Sequence, residues 1–134
     1  MERIVKILVV AILFMLPFNN SANAEGWSIL QNIPYENCTK VFNMDNLNLF
    51  YLTISSINTN KFTVEEIQSK SGYILFTAFN RKYLATVANV NTNQSMLKIT
   101  PTDNNYNFQP AVLSNMFNYI NSNLKTKPQN IVIN

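Results

Sequence analysis

The stretch at residues 62–101 limits the possible folds of this chain more than any other part of it. Apolar and polar residues alternate there in four short runs, and residues that favour turns separate the runs. Successive side chains on a β-strand point to opposite faces, so alternation with a period of two predicts strands. Tight turns must join runs that follow one another this closely, which makes neighbouring strands antiparallel. The stretch therefore predicts a four-stranded antiparallel meander.

The same pattern locates the turns and one irregularity of the meander. The turns are predicted at residues 69–72, 80–81 and 89–94. Gly72 is one of only two glycines in the chain, and we interpret it as a turn residue with no binding role. Between Val64 and Ile67 the alternation slips by one position, which indicates a β-bulge near Glu65 and Glu66.

An amphipathic helix is predicted on each side of the meander, because apolar residues recur there at steps of three and four. The first stripe comprises Leu47, Phe50, Tyr51, Ile54 and Ile57, and the second comprises Val112, Leu113, Met116, Phe117, Ile120 and Leu124. The first helix is expected at residues 44–58, capped by Asn43 or Asp45, and the second begins near Pro110. Each helix has one stripe to bury, so both should pack on one face of the sheet. The predicted class is α+β, with the order α-β-β-β-β-α.

The first 24 residues have the pattern of a signal peptide. Arg3 and Lys6 precede an apolar run at residues 7–18, and small residues follow at positions 21–24. A retained membrane anchor is the alternative, but the run is shorter than the roughly 20 residues that span a bilayer. We expect cleavage after Ala24 and export to the periplasm or beyond, so that the membrane is met only transiently. The domain then covers residues 25–124, and residues 125–134 form a C-terminal tail.

Composition excludes most kinds of catalytic site. The chain has no histidine, which rules out a Ser-His-Asp triad, a Cys-His pair and a histidine metal site. Cys38 is the single cysteine, so it forms no internal disulfide; we interpret it as a small buried residue, with a reactive thiol as the alternative. Glu65 and Glu66 are neighbours on a strand and should face opposite ways, as solvated charges rather than a catalytic pair. The sequence therefore predicts no enzyme activity, no cofactor and no metal.

The charge pattern also excludes a class of partner. The formal net charge is +3, and the lysines and arginines are scattered along the chain instead of clustered. A nucleic-acid-binding surface needs a concentrated basic patch. We therefore expect no nucleic-acid partner.

One resemblance to a known family rests on several short segments. They are an Ile33-Pro34 lead-in, Val41-Phe42 before a helix, the strand FTVEEI, the turn SGYI and a closing helix. In this pattern the chain resembles the helix-grip domains of BamC-type envelope lipoproteins. It differs from them in having Glu25, not a lipid-bearing cysteine, after the predicted cleavage site. The resemblance implies a small α+β module of the cell envelope, and it transfers no site residues.

The second strand of the meander supplies the candidate binding residues. Tyr73, Leu75 and Phe79 are predicted on one face of this strand, with Ile74 and Phe76 on the other. If the helices cover Ile74 and Phe76, the first three residues form an exposed apolar patch, which is typical of an interaction site. The alternative is that the aromatic residues pack in the core or in cross-strand pairs.

Together these observations predict a non-enzymatic exported protein. Its first predicted role is to bind another envelope protein through the exposed sheet face or an edge strand. The alternative is a small apolar ligand held between the helices and the sheet, in a pocket lined by Phe50, Ile54, Phe76 and Met116. The oligomeric state and the identity of the partner stay open.

Overall fold

The computed structural model describes residues 29–125. The predicted signal peptide and all but the first residue of the predicted tail lie outside the described residues. The elements are β1 (Gln31–Asn32), a short 3-10 helix (Tyr35–Cys38), β2 (Thr39–Phe42), α1 (Asn46–Thr59), β3 (Thr63–Gln68), β4 (Tyr73–Ala78), β5 (Arg81–Asn91), β6 (Gln94–Pro101), β7 (Asn107–Phe108) and α2 (Ala111–Ser122). None of the helices in this range is both long and apolar enough to cross a membrane.

The main sheet has five antiparallel strands in the order β2-β6-β5-β4-β3. Strands β3 to β6 form the predicted meander, and the α+β class is confirmed. The prediction of four strands is wrong, because β2 precedes α1 and pairs with the outer edge of β6, with Lys40 opposite Leu97. The order of the main elements is therefore β-α-β-β-β-β-α. A separate two-stranded ribbon joins β1 and β7.

The meander agrees with its prediction at the bulge and differs at two turns. The register of β3 against β4 shifts between Val64 and Glu66, so the predicted bulge is confirmed. The second turn consists of Phe79 and Asn80, one residue earlier than predicted, and Ala78 pairs with Arg81. The third turn is tighter than predicted, because β5 extends to Asn91 and β6 begins at Gln94.

Both helices lie close to their predicted positions. Five of the six residues of the predicted α2 stripe are buried, whereas the sixth, Leu124, lies beyond the end of the helix and is half-buried. Helix α1 buries a wider face than its predicted stripe: Leu49 and Leu52 are buried, whereas Leu47 is 55% exposed. The reason is that α1 packs against both the sheet and α2. Asp45 occupies the cap position of α1, but its carboxylate accepts a hydrogen bond from the Asn48 side chain and none from a backbone amide.

The core lies between the helices and one face of the main sheet. Along β4, β5 and β6, fully buried residues alternate with half-buried ones. On β4 the buried set is Ile74, Phe76 and Ala78. The two buried hydroxyls of α1 are satisfied locally or by the other helix, since Thr53 donates to the Leu49 carbonyl (2.7 Å) and Ser56 to the Met116 carbonyl (3.4 Å). Helix α1 packs directly on the sheet, whereas α2 packs mainly against α1 and meets the sheet at β2, where the Phe117 and Phe42 ring centroids lie 6.2 Å apart.

Candidate functional site

The sheet face turned away from the helices is the first candidate site, and we call it the open face. Its side chains alternate with the buried ones on each strand, so most of them are half-buried and not enclosed. The open face comprises Thr39, Val41, Thr63, Glu65, Glu66, Gln68, Tyr73, Leu75, Thr77, Lys82, Leu84, Thr86, Ala88, Met96, Lys98 and Thr100. Two of the predicted site residues, Tyr73 and Leu75, belong to it.

A cross-strand pair of leucines forms the apolar centre of the open face. Leu75 on β4 lies directly opposite Leu84 on β5, and Leu84 lies opposite Thr100 on β6. Side chains opposite each other on antiparallel strands have Cβ atoms about 5 Å apart, so the two leucines form one continuous apolar surface. Tyr73 adds an aromatic ring one pair away, opposite Thr86.

The bulge in β3 places two carboxylates on the open face. Thr77 donates to Glu65 Oε2 at 2.8 Å, and the Tyr73 hydroxyl donates to Glu66 Oε2 at 2.7 Å. The prediction that Glu65 and Glu66 face opposite ways is therefore wrong. A bulge sets two residues against one on the partner strand, which interrupts the alternation of faces. Both glutamates are exposed, so they remain solvated strand charges.

The hydrogen bond to Glu66 fixes the orientation of the Tyr73 ring. It also raises the pKa of Tyr73, because the neighbouring carboxylate favours the protonated phenol. At neutral pH the phenol is protonated and the hydrogen bond is intact. The hydrogen bond therefore restricts the Tyr73 ring before binding, so that less side-chain conformational entropy is lost when a partner binds.

The opposite side of the open face carries positive charge. Lys82 on β5 lies directly opposite Thr77 on β4. Lys98 on β6 donates to the Tyr35 hydroxyl at 3.3 Å, and its Nζ lies 5.9 Å from the centre of the Tyr35 ring. Charge on the open face therefore changes sign across the sheet, from acidic on β3 to basic on β5 and β6.

Phe79 does not lie on the open face, so the predicted three-residue patch is divided. Its ring meets that of Phe62 edge-on, with the ring centroids 5.5 Å apart. Phe62 in turn stacks on the buried Phe76, with a centroid distance of 6.1 Å. The physical reason is the turn: Phe79 has a left-handed backbone with φ of 50°, which ends the alternation of β4 and turns the side chain toward the helix side of the sheet.

A second candidate site, which we call the end cleft, lies beside Phe79. It has a volume of about 290 Å³ and is lined by Asn60, Phe62, Phe79, Ala111 and Asn115. These residues come from the end of α1, the start of β3, the β4–β5 turn and the first turns of α2. The end cleft thus combines two aromatic rings with two amides, and no charged side chain is among its lining residues.

The predicted ligand pocket between the helices and the sheet is occupied by side chains. Phe50, Ile54, Phe76 and Met116 are each at most 3% exposed and belong to the core. Phe50 alone of the four also borders a cleft, of about 230 Å³, near the β3–β4 turn. The prediction of a pocket lined by all four residues is therefore wrong, because core side chains fill the space between the helices and the sheet.

Cys38 and the acidic residues offer little chemistry in the described structure. Cys38 is buried, and burial raises the pKa of its thiol, which disfavours the reactive thiolate. Among residues 29–125, no three side chains of histidine, cysteine, aspartate or glutamate come together as metal ligands would.

Sequence reasoning missed the end cleft, although one signal pointed to it. Asparagine followed by glycine is the preferred pair for a two-residue hairpin turn. Here the turn is Phe79-Asn80, so a bulky aromatic residue stands where asparagine or glycine is usual. No model of a known protein family and no curated protein matches this chain.

Proposed function

We propose that this protein is a non-enzymatic, exported module of the cell envelope that binds a partner protein through the open face. The observation that carries the proposal is a sheet face without helical cover, in residues 29–125, that has the Leu75–Leu84 pair and Tyr73 at its centre. Antiparallel sheets with one solvated face usually present polar residues there. Two leucines and a tyrosine in one patch are the exception that suggests a partner.

Burial of this patch would contribute favourably to the free energy of a complex. Each leucine side chain that becomes fully buried contributes about 1.5–3 kcal/mol, and a half-buried one contributes part of that. Tyr73 adds a large contact area, and its hydrogen bond to Glu66 holds it in place before binding. These are the properties of a binding hot spot: an aromatic anchor beside apolar neighbours.

The charges of the open face define the chemistry of the partner. Glu65 and Glu66 lie on β3, beside the strand of Leu75. Lys82 lies on β5, the strand of Leu84, and Lys98 lies on β6 beyond it. The proposed partner therefore presents a flat apolar strip with basic groups over β3 and acidic groups over β5 and β6. Such complementarity sets the orientation of docking and speeds association.

The open face is a better candidate than either edge of the sheet. The outer strand β3 contains the bulge and two exposed glutamates, and the other outer strand, β2, has only four residues. Bulges, charges and short length are the features by which proteins prevent strand addition at an edge. Docking of a partner strand at an edge is therefore the second choice within the same proposal.

The proposed location rests on the sequence of the first 24 residues and on the resemblance to BamC-type envelope modules. N-terminal sequencing of the protein purified from cell envelopes tests it directly. The proposal expects the mature chain to begin at Glu25. A chain that retains Met1 and its apolar run would contradict cleavage and export as a free domain.

Site-specific photo-crosslinking tests the open face. A photoreactive residue replaces Leu75 in the full chain, and a matched variant carries it at Leu47, which is also apolar and 55% exposed but lies on α1. We expect a protein adduct from position 75 and none from position 47. Adding Leu84→Glu to the position-75 variant should abolish the adduct, because a charge enters the centre of the interface.

The outcomes of this experiment are distinct. Adducts of equal yield from both positions would overturn the open face as the site. An adduct that contains only this chain would identify a second copy as the occupant and contradict a separate partner. Glu65→Lys with Glu66→Lys should lower the yield if the partner carries basic groups over β3, and an unchanged yield would contradict the proposed charge match.

A further inference from the structure

We propose that the end cleft is a binding site for a neutral sugar, as a free monosaccharide or as the terminal unit of a longer glycan. The inference is independent of the open face, since the two sites share no residue. It rests on the size and lining of the cleft, on the amide hydrogen-bonding capacity of Asn60 and Asn115, and on the backbone conformation of Phe79.

The size of the end cleft limits the ligand to about one ring. Its volume of about 290 Å³ is at the lower end for small-molecule sites, which range from about 300 to 1,000 Å³. A monosaccharide fits such a space, whereas a nucleotide or a drug-sized molecule does not.

The lining determines the chemistry of the ligand. Phe62 and Phe79 supply apolar surface, and Asn60 and Asn115 supply amide donors and acceptors. No lining side chain is charged, so a ligand with a net charge would lose its hydration without an ion pair in return. A sugar is neutral and has both an apolar C–H face and hydroxyl groups that can donate and accept hydrogen bonds.

The angle between the two aromatic rings sets the shape of the apolar part of the cleft. The Phe62 and Phe79 planes meet at 65°, so they form a corner and not a parallel slot. A pyranose ring, with C–H groups pointing both axially and equatorially, can contact both walls of a corner.

The amides are positioned for hydrogen bonding to the ligand. The Asn60 side-chain nitrogen donates to the Ser56 carbonyl at 2.8 Å, which fixes the amide and leaves its oxygen as an acceptor. Within residues 29–125, neither that oxygen nor the Asn115 side chain has a hydrogen-bond partner in the protein. The Asn60 oxygen can accept a hydrogen bond from one sugar hydroxyl, and the Asn115 amide can donate to or accept from a second.

The backbone of Phe79 is in a conformation that is strained for a phenylalanine. Phe79 has φ of 50°, in the left-handed region that bulky residues rarely adopt. Its ring is still 38% exposed, so burial offsets only part of this strain. Strained residues concentrate at functional sites, and a wall of the end cleft is a use for the Phe79 ring that Asn at this position could not serve.

Titration of the full chain with neutral sugars, followed by two-dimensional NMR of its amides, tests the proposal. The probes are glucose, galactose, mannose and N-acetylglucosamine, with maltose as a disaccharide. We expect at least one sugar to shift the side-chain amide signals of Asn60 and Asn115. A ligand with about twelve heavy atoms should bind with Kd on the order of 1–10 mM. Binding of maltose at least as tight as that of glucose would identify a glycan end, and much weaker binding of maltose would identify a free monosaccharide.

Variants separate ligand binding from folding. Phe79→Asn and Asn115→Ala should each weaken binding at least tenfold while the remaining amide spectrum stays that of the folded chain. Val90→Asn is the matched control, since Val90 is 48% exposed near the other end of β5. It should bind like the unchanged protein.

Three results would overturn the proposal. One is the absence of shifts at Asn60 and Asn115 with every sugar up to about 50 mM, well above the expected Kd. Another is retention of full affinity by Phe79→Asn. The third is stronger binding of indole, glucosamine or glucuronate than of any neutral sugar, because a preference for an aromatic or charged ligand contradicts a neutral-sugar site.

Discussion

Two turns of the meander use a left-handed backbone, and they do so with different residues. At the end of the β3–β4 turn, Gly72 has φ of 75°; in the β4–β5 turn, Phe79 and Asn80 have φ of 50° and 64°. The first turn has the one residue that adopts this conformation without strain, and the second has one of the least suitable. Gly72 therefore meets a conformational requirement of its turn, whereas the left-handed conformation of the second turn does not account for phenylalanine at position 79.

Contacts around each turn explain the difference. A Cβ atom added at Gly72 would lie 2.6 Å from the Val87 carbonyl oxygen, which is closer than side chains approach backbone. The same glycine accepts a hydrogen bond from the Val87 amide at 2.7 Å, so the two backbones must stay together. Phe79 has no comparable restriction, because its side chain lies at a cleft and is partly exposed.

The largest expected effect in this comparison is that of Gly72→Ala. The substitution combines left-handed strain with a clash against backbone, and we expect a loss of about 2–4 kcal/mol in the free energy of unfolding. Urea denaturation followed by circular dichroism measures it. Ser71→Ala, at the exposed neighbouring position, is the control and should change stability by less than about 0.5 kcal/mol. A Gly72→Ala protein as stable as this control would show that the close approach is not essential.

Arg81→Met should have the next largest effect, because Arg81 anchors the second turn from outside. Its guanidinium donates to the Asp103 carboxylate (3.0 Å) and to the carbonyls of Asn105 and Asn107 (2.8 Å each). Charge-assisted hydrogen bonds of this kind contribute about 1.5–3 kcal/mol, and partial exposure lowers the value, so we expect a loss of about 2 kcal/mol. Lys82→Met, an exposed neighbour, should be nearly neutral. If both variants lose the same stability, the anchor is not what holds the turn.

The dependence of this anchor on pH is the third test. The Asn105 amide and Arg81 lower the pKa of Asp103 below its ordinary value of 3.8. Because the pKa is lower in the folded state, the contribution of Asp103 to stability is complete above about pH 3.8 and is lost as pH falls through the lowered folded pKa. Asp103→Asn should therefore be less stable than the unchanged chain at pH 6, and the difference should shrink toward pH 2. A difference that is constant over this range would contradict the assignment.

Phe79→Asn should have the smallest effect on stability, and it tests whether Phe79 is a structural residue like Gly72. Asparagine relieves roughly 1 kcal/mol of left-handed strain, and loss of the edge contact with Phe62 costs about 0.5–1.5 kcal/mol. We therefore expect a change within about 0.5 kcal/mol of zero in urea denaturation. A loss above about 2 kcal/mol would mean that Phe79 is a structural residue like Gly72 and would remove one reason for regarding the end cleft as a site.

The elements that were predicted correctly are those with a local repeating pattern. The alternation along β4 and β6 and the spacing along α2 extend over enough residues to show a period. The bulge was predicted for the same reason, since a slip is visible only within a regular pattern. Strand β2 has four residues and pairs with β6, more than fifty positions away, so no local pattern indicates it.

The candidate sites divide in the same way. Tyr73 and Leu75 were placed together correctly because they are two residues apart on one strand. Alternation along β4 predicts Phe79 on the same face, which is wrong because the turn begins at Phe79, one residue earlier than predicted. The pocket lined by Phe50, Ile54, Phe76 and Met116 was wrong because periodicity shows which side chains face inward, not whether space remains between them.

By itself, the sequence determined the class of the fold, the meander, both helices and which side of each strand is apolar. It did so because these features depend on neighbours within a few residues, where backbone periodicity is visible. Only the tertiary structure decided that β2 completes the sheet, that the bulge brings Glu65 and Glu66 to one face, and that Asn60, Phe79 and Asn115 meet at one cleft. Each of these depends on contacts between residues far apart in the chain or on the conformation of a single residue, and neither leaves a repeating pattern in the sequence.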